Sequence, residues 1–546
     1  MKTRAIVGII VTHLLFRFGA QAQPQNAAIG NVDVLHYVFT IVLPDTGRSI
    51  RGTALVSLRR IGAVDGVRLD LVGLNVDSVQ VDGARSSFVR DSLTINVPLA
   101  YQNNDTCDTL TLRIDYGGLV SDGLMIGRDN KGRWTAFGDN WPERARFWLP
   151  CRDRPDDKAM VEWRVIAPAD RQVVANGAFV ERTLVHEGYR DQYALTVWKE
   201  SQPISTYLMV IAAAPMAKFD LCPSQVQGES SNCDVQQSVY VEPELSGYLP
   251  GPFKYANNIV SYFSGLIGQF PYEKLDHVQS STQYGGMENA SAIFYASEGI
   301  SSRTMEPEII AHETAHQWFG DAVTEKKWAQ LWLSEGFATY FEELWTKHEF
   351  GDSAFRAELE RTRAEVFQST VVSERPVIDS LQTNLTALLD VNSYQKGAWV
   401  LRMLHSMLGD STFFTSLRSY YKHYRNSTVV TDDLEREFEA TAQHNLRWFF
   451  DEWLRRPGFA TLSTDWSYDD LSRRVELTVR QMGPFPPYRF FLTVESIAAD
   501  GKRFYERVLV QATETNEFKL KHVFAKKPSD IKFDPDVELL ARMIVQ

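Results

Sequence analysis

The stretch 304–320, TMEPEIIAHETAHQWFG, sets His312 and His316 four positions apart with Glu313 between them. Helix signals flank it: Thr304 as a candidate N-cap, Pro307 in the first turn and Gly320 as a stop. On a helix, His312 and His316 share one face and can share one ion, while Glu313 reaches a metal-bound water without being a ligand. Chance alone yields such a pattern in roughly one chain of this composition in a hundred, so a third ligand has to decide. The segment 328–345, WAQLWLSEGFATYFEELW, supplies one. The turn GDAVTEKK lets it return antiparallel to the first helix and bring Glu335 to the histidines. Two His and one Glu with the fourth position left to water is the donor set of a catalytic zinc site, one ion per chain. Glu342, seven residues beyond Glu335 on the same face, is placed to orient a ligating histidine. A zinc-bound water activated by Glu313 as general base implies metal-assisted hydrolysis, with a peptide bond as the expected target.

The rest of the chain sets limits on that chemistry. The 546 residues carry a formal net charge of −12, which argues against nucleic acid as a partner. The N-terminus, MKTRAIVGIIVTHLLFRFGAQAQ, has the order of a secretory signal cleaved after Ala22, so a secreted or periplasmic protein is expected. No later apolar run reaches the length of a membrane span. Of the four cysteines, Cys222 and Cys233 bracket a short polar loop and are the best disulfide candidates, with Cys107 and Cys151 as readily free thiols. His277, His348, His405, His423 and His444 are scattered without partners and read as packing or surface residues.

Periodicity gives an α+β multidomain chain. After the signal at 1–22, residues 23–242 read as a mainly antiparallel β domain, with strand patterns such as TALVSLRR and DTLTLRIDY. Residues 243–457 carry the helical period, including 306–319, 328–349, 395–408, 411–424 and 430–443, and with the zinc motif on two of these helices the region resembles a thermolysin-like zinc catalytic domain. Residues 458–546 return to strands as a C-terminal β-sandwich.

YGGMENASAIFY, 284–295, would in an arbitrary protein be a strand with a glycine bulge. Beside the metal motif it has another reading. GGMEN, HETAHQWFG with LWLSEGFATYFE, and YQKG at 394–397 together resemble the aminopeptidase N-type zinc exopeptidases, the family that also contains leukotriene hydrolase. WLPCRDRPDDKA, FPYEKLDHV and FFDEWLRRPGF agree with it, and the likeness runs over roughly 30–540. The resemblance implies that Glu288 binds the substrate's free α-ammonium, that the backbone of Gly285, Gly286 and Met287 holds the peptide as an added strand, and that Asn289 belongs to the same substrate-binding motif. It makes Tyr394 the hydrogen-bond donor to the tetrahedral oxyanion, and lets Glu335 touch the amine while ligating zinc. Peptides with a free N-terminus are then the expected substrates.

Two departures stand out. Where many relatives place a Gln or Glu that also contacts the amine, this chain has Trp141, preceded by Asp139 and Asn140, either of which could substitute. Larger relatives add a long helical domain after the β-sandwich, so a more open cleft, or one closed by another subunit, is expected here; the oligomeric state is not legible. A thermolysin-like endopeptidase and a non-catalytic scaffold of the same fold are the alternatives, and a lipid epoxide hydrolase a remote one. The sequon at Asn289 lies inside the exopeptidase motif, where a glycan would block the site.

Overall fold

The computed structural model describes residues 32–61, 65–99, 109–185, 192–222, 233–248 and 251–544. The expected signal peptide and Cys107 lie outside the described residues.

Alternation builds the first domain. In Ser49–Arg60 every second side chain from Ile50 to Leu58 is buried, as a half-buried strand requires. This strand sits inside an eight-stranded sheet that runs from Ala178–Val185 at one edge to Ala84–Ser86 at the other. Its ladders are antiparallel except where Val32–Val42 pairs parallel with Lys158–Pro168. A four-stranded and a three-stranded sheet complete the domain, and Trp148 stacks on Trp163 at 5.7 Å in the core.

The second domain begins on a five-stranded sheet ordered Ala217–Asp220, Gln237–Val241, Leu275–Ser280, Ala292–Ala296, Gly286–Met287. Its first two strands come from before residue 243, where the helical region was expected to start. Gly286–Met287, the core of the GGMEN motif, is therefore a sheet edge paired antiparallel to Ala292–Ala296. Helices follow. Ala256–Ile267 buries Ala256, Ile259, Val260, Phe263 and Ile267, a stripe at helical spacing. The metal-motif helix is Pro307–His316 and starts later than expected. Thr304 is not its cap: the Thr304 amide donates to the Gly299 carbonyl and closes the preceding helix Ser297–Ser302. Glu306 is extended and Pro307 takes the first helical position, where a missing N–H costs nothing.

Helix Trp332–Phe350 is buried along most of its length, and the expected segments 395–408 and 411–424 meet at a kink at Gly409 within Gly397–Tyr424. Gly336 and Gly397 let these two helices touch: a Cβ on Gly336 would lie 2.9 Å from the Gly397 backbone. The chain ends in a four-stranded and a three-stranded sheet, the expected β-rich C-terminal part. Among the described residues no helix is long and apolar enough to cross a membrane. Cys222 and Cys233 form the expected disulfide, and Cys151 is a buried free thiol.

Candidate metal centre and substrate-binding strand

Helices Pro307–His316 and Trp332–Phe350 pack side by side and bring three donors to one point. His312 Nε2 and His316 Nε2 lie 3.2 Å apart. Glu335 Oε2 is 3.4 Å from the first and 3.3 Å from the second. Ligands about 2.0–2.1 Å from a tetrahedral ion stand about 3.3 Å from one another, so the three sides of this triangle have the length zinc requires. Among the described residues this is the one group of His, Cys, Asp and Glu able to hold a metal ion. Its electrostatics agree. Burial works against a charged His312, yet the adjacent carboxylates of Glu335 and Glu342 outweigh it and raise the imidazole well above its ordinary value. Burial would likewise raise Glu335, but His316 and His312 hold it down at about 2. The space between the donors thus favours positive charge, and Glu335 Oε2, buried, makes no hydrogen bond. The donor set fits one zinc ion.

Behind the donors, Glu342 Oε2 lies 3.0 Å from His312 Nδ1, as its position on the helix anticipated. His316 Nδ1 is held by the Ser334 hydroxyl at 3.0 Å and the Phe319 carbonyl at 3.2 Å. Ser334 escaped the sequence reading; its place next to Glu335 was the available signal.

Glu313 is buried beside the donors, and burial pushes its carboxyl up to about 8 against the pull of His312 and His316. A Cβ on Gly286 would sit 2.2 Å from Glu313 Oε1. Only glycine allows the base to press against the backbone of the edge strand, which is the physical content of the second glycine in GGMEN. Gly285 faces Ile309 of the metal helix, and Met287 is buried. Glu288 is buried near the same cluster; burial raises its carboxyl, with His316 pulling it down and Glu335 pushing it up. Tyr394 sits in a π-helical turn, Asn392–Lys396, a local geometry frequent at functional sites. Its ring stacks on His312 at 6.0 Å, and burial together with Glu335 raises its hydroxyl well above the usual phenol value. The structure thus brings His312, His316, Glu335, Glu342, Glu313, Glu288, Gly285, Gly286, Met287 and Tyr394 to one place.

Asn289 differs. It is fully buried, with Nδ2 3.5 Å from the Met287 carbonyl, so its sequon is not accessible in the fold. Asn140 is committed elsewhere: its amide donates to the Met209 carbonyl at 2.7 Å and its oxygen accepts the Trp148 indole at 2.8 Å. Asp139 pairs with Arg144 and accepts the Thr282 hydroxyl at 3.5 Å, just before the GGMEN strand. Trp141 packs edge-on against Tyr284 and Trp328 at 6.1 and 5.7 Å. The scattered histidines do pack or face solvent; His277, for one, bridges Tyr295 and Gln237 inside the sheet.

Residues 35–208 match the family model described as Peptidase M1 N-terminal domain, and residues 254–453 that of the Peptidase family M1 domain. Glutamyl aminopeptidase of Homo sapiens is 27% identical over 64% of this chain and 37% of its own length. Probable aminopeptidase 2 of Sulfurisphaera tokodaii is 26% identical over 72% of this chain and 50% of its own. The chain therefore spans half or less of these relatives. Among solved structures, the M1 zinc metallopeptidase from Deinococcus radiodurans superposes with a TM-score of 0.68 and 25% identity, covering 78% of this chain and 94% of that one. Legionella pneumophila aminopeptidase A in complex with aspartic acid shares the fold, with a TM-score of 0.79 at 16% identity over 95% of this chain and 60% of that one.

Proposed function

Because the chain belongs to peptidase family M1, we propose that it is a zinc-dependent aminopeptidase, releasing the first residue from peptides that carry a free α-amine. One observation carries the reading: the base Glu313 presses on Gly286 of the edge strand Gly286–Met287, and Glu288 follows directly where that strand ends. The group that would take a proton and the group that would bind an ammonium are thereby held at one fixed spacing.

When bound by His312, His316 and Glu335, zinc supplies Lewis-acid chemistry, acidifying a water and polarising the peptide carbonyl. The chain's own residues do the rest. The edge strand offers backbone to an extended peptide, which lies against it as an added strand. Glu288 pairs with the α-ammonium and stops the chain, so the first peptide bond is the one presented. Glu313 removes the proton from the attacking water and returns it to the departing amine. Tyr394 donates its hydroxyl hydrogen to the developing oxyanion. Glu342 and Ser334 keep the two imidazoles turned toward the donor triangle. Export, proposed from the N-terminal segment, is supported by the Cys222–Cys233 disulfide, which suits an oxidising compartment.

Kinetics on paired free and N-acetylated peptides, with and without chelator, test the reading. The expected result is cleavage of free-amine peptides alone, loss of activity on chelation, and a fall of roughly tenfold to a hundredfold in kcat/KM for Glu288→Ala, the scale of one hydrogen-bonded charge. Comparable cleavage of acetylated peptides would make the protein an endopeptidase.

A further inference from the structure

Directly after the metal motif stands Gln317, a fully buried polar residue in an otherwise apolar turn. Its carboxamide makes three hydrogen bonds. Nε2 donates to the Glu288 carbonyl and to Asp321 Oδ2, each at 2.9 Å, and Oε1 accepts the Ser291 amide at 2.8 Å. Two of these partners belong to the loop that carries the ammonium-binding carboxylate. We infer that Gln317 is a positioning residue that sets the register of the substrate's free amine by fastening the Glu288 loop to the metal helix. This inference rests on the aminopeptidase reading above.

The far end of the loop shows why a fastener is needed. Ser291 has a φ of 61°, a left-handed conformation that a serine adopts only under constraint. Every polar atom of Ser291 is held. Its amide goes to Gln317; its carbonyl accepts the Asp276 amide and Lys274 Nζ, each at 2.9 Å. Its hydroxyl accepts the Gly177 amide at 2.7 Å and donates to Glu200 Oε2 at 3.0 Å. Between the two ends, the Ala290 carbonyl accepts Asn176 Nδ2 at 2.7 Å. The metal helix, the catalytic sheet and the N-terminal β domain therefore all grip four consecutive residues, Glu288 to Ser291. Among the described residues, Gln317 is the side chain that bonds both ends of that segment. It is also one residue from the ligand His316, so a shift of the helix and a shift of the carboxylate are the same movement.

A buried carboxamide satisfied by three partners could also be ordinary core polarity. The two roles differ in what they couple to, and a double-mutant cycle reads that difference. Gln317→Met keeps length and apolar volume while removing all three hydrogen bonds. The expected result is a rise of about tenfold in KM for a free-amine aminoacyl substrate, with a smaller change in kcat and unchanged zinc content. In Glu288→Ala protein the same substitution should alter kcat/KM by less than about twofold, because the group it positions is gone. Equal losses in both backgrounds, or no loss in either, overturn the inference. The near-isosteric Gln317→Glu, which turns a carboxylate toward the Glu288 carbonyl and Asp321, carries the same cycle if Gln317→Met does not fold. Failure of both to fold assigns Gln317 to the core and overturns it too. Wild-type protein indifferent to N-acetylation overturns the aminopeptidase reading; a wild-type free-amine preference with equal losses overturns this inference alone.

Discussion

The connection from His316 to Glu335 carries two buried charged groups with opposite outcomes. At its ends, His312, His316 and Glu335 converge to a triangle of 3.2–3.4 Å. Along its length, Asp321 and Glu325 sit near Lys158, and nothing converges. Lys158 Nζ donates to the Asp321 and Ala322 carbonyls at 2.6 and 2.9 Å. Both Glu325 oxygens and Asp321 Oδ1 find no hydrogen-bond partner among the described residues. Burial dominates this second group, lowering Lys158 to about 7 and raising both acids well above their ordinary range. In the first group, direct contact between donors outweighs burial, raising His312 and holding Glu335 down. Density of acidic residues does not make a metal site; donors aimed at one point do.

The comparison can be broken at several places, with effects of decreasing size. Glu313→Gln leaves the triangle intact and removes only the base, so kcat should fall roughly 10²–10⁴-fold while metal analysis finds zinc unchanged. The rule that burial wins where donors do not converge should also show at His277, whose imidazole burial lowers from 6.5 to about 3. Its neutral form is the folded form, so the stabilisation is complete above pH 6.5 and is eroded as pH falls from 6.5 toward 3. The cost at the acid end is on the order of a few kcal/mol. Chemical denaturation across that range should show the slope, and His277→Gln should flatten it. Glu342→Ala frees the outer nitrogen of His312, and zinc affinity in a chelator competition should drop roughly 10–100-fold. Glu325→Gln touches only the second group, and zinc affinity should stay within about twofold of wild type.

Legibility in the sequence followed the range of the interactions. His312, Glu313 and His316 are neighbours on one helix, and Glu335 with Glu342 repeats that local logic on the next, so spacing exposed them. The alternation of Ser49–Arg60 exposed a strand for the same reason. Glu288 and Tyr394 gave no local signal strong enough alone and became visible through resemblance to a family. Gln317 stayed hidden because its bonds run to backbone atoms of a loop 26 to 29 residues away. Asn176 was further still, reaching Ala290 across 114 residues from another domain. The helix start was misplaced for a physical reason as well: Thr304 is a good capping residue, but its amide already closes the helix before it.

The central claim is that one zinc ion is held by His312, His316 and Glu335, and it is tested most directly by metal analysis of purified protein beside its Glu335→Gln variant. One zinc per chain in the wild type and a large loss of bound zinc from the folded variant is the result expected. Zinc retained in equal amount by the variant would place the ion elsewhere and contradict it.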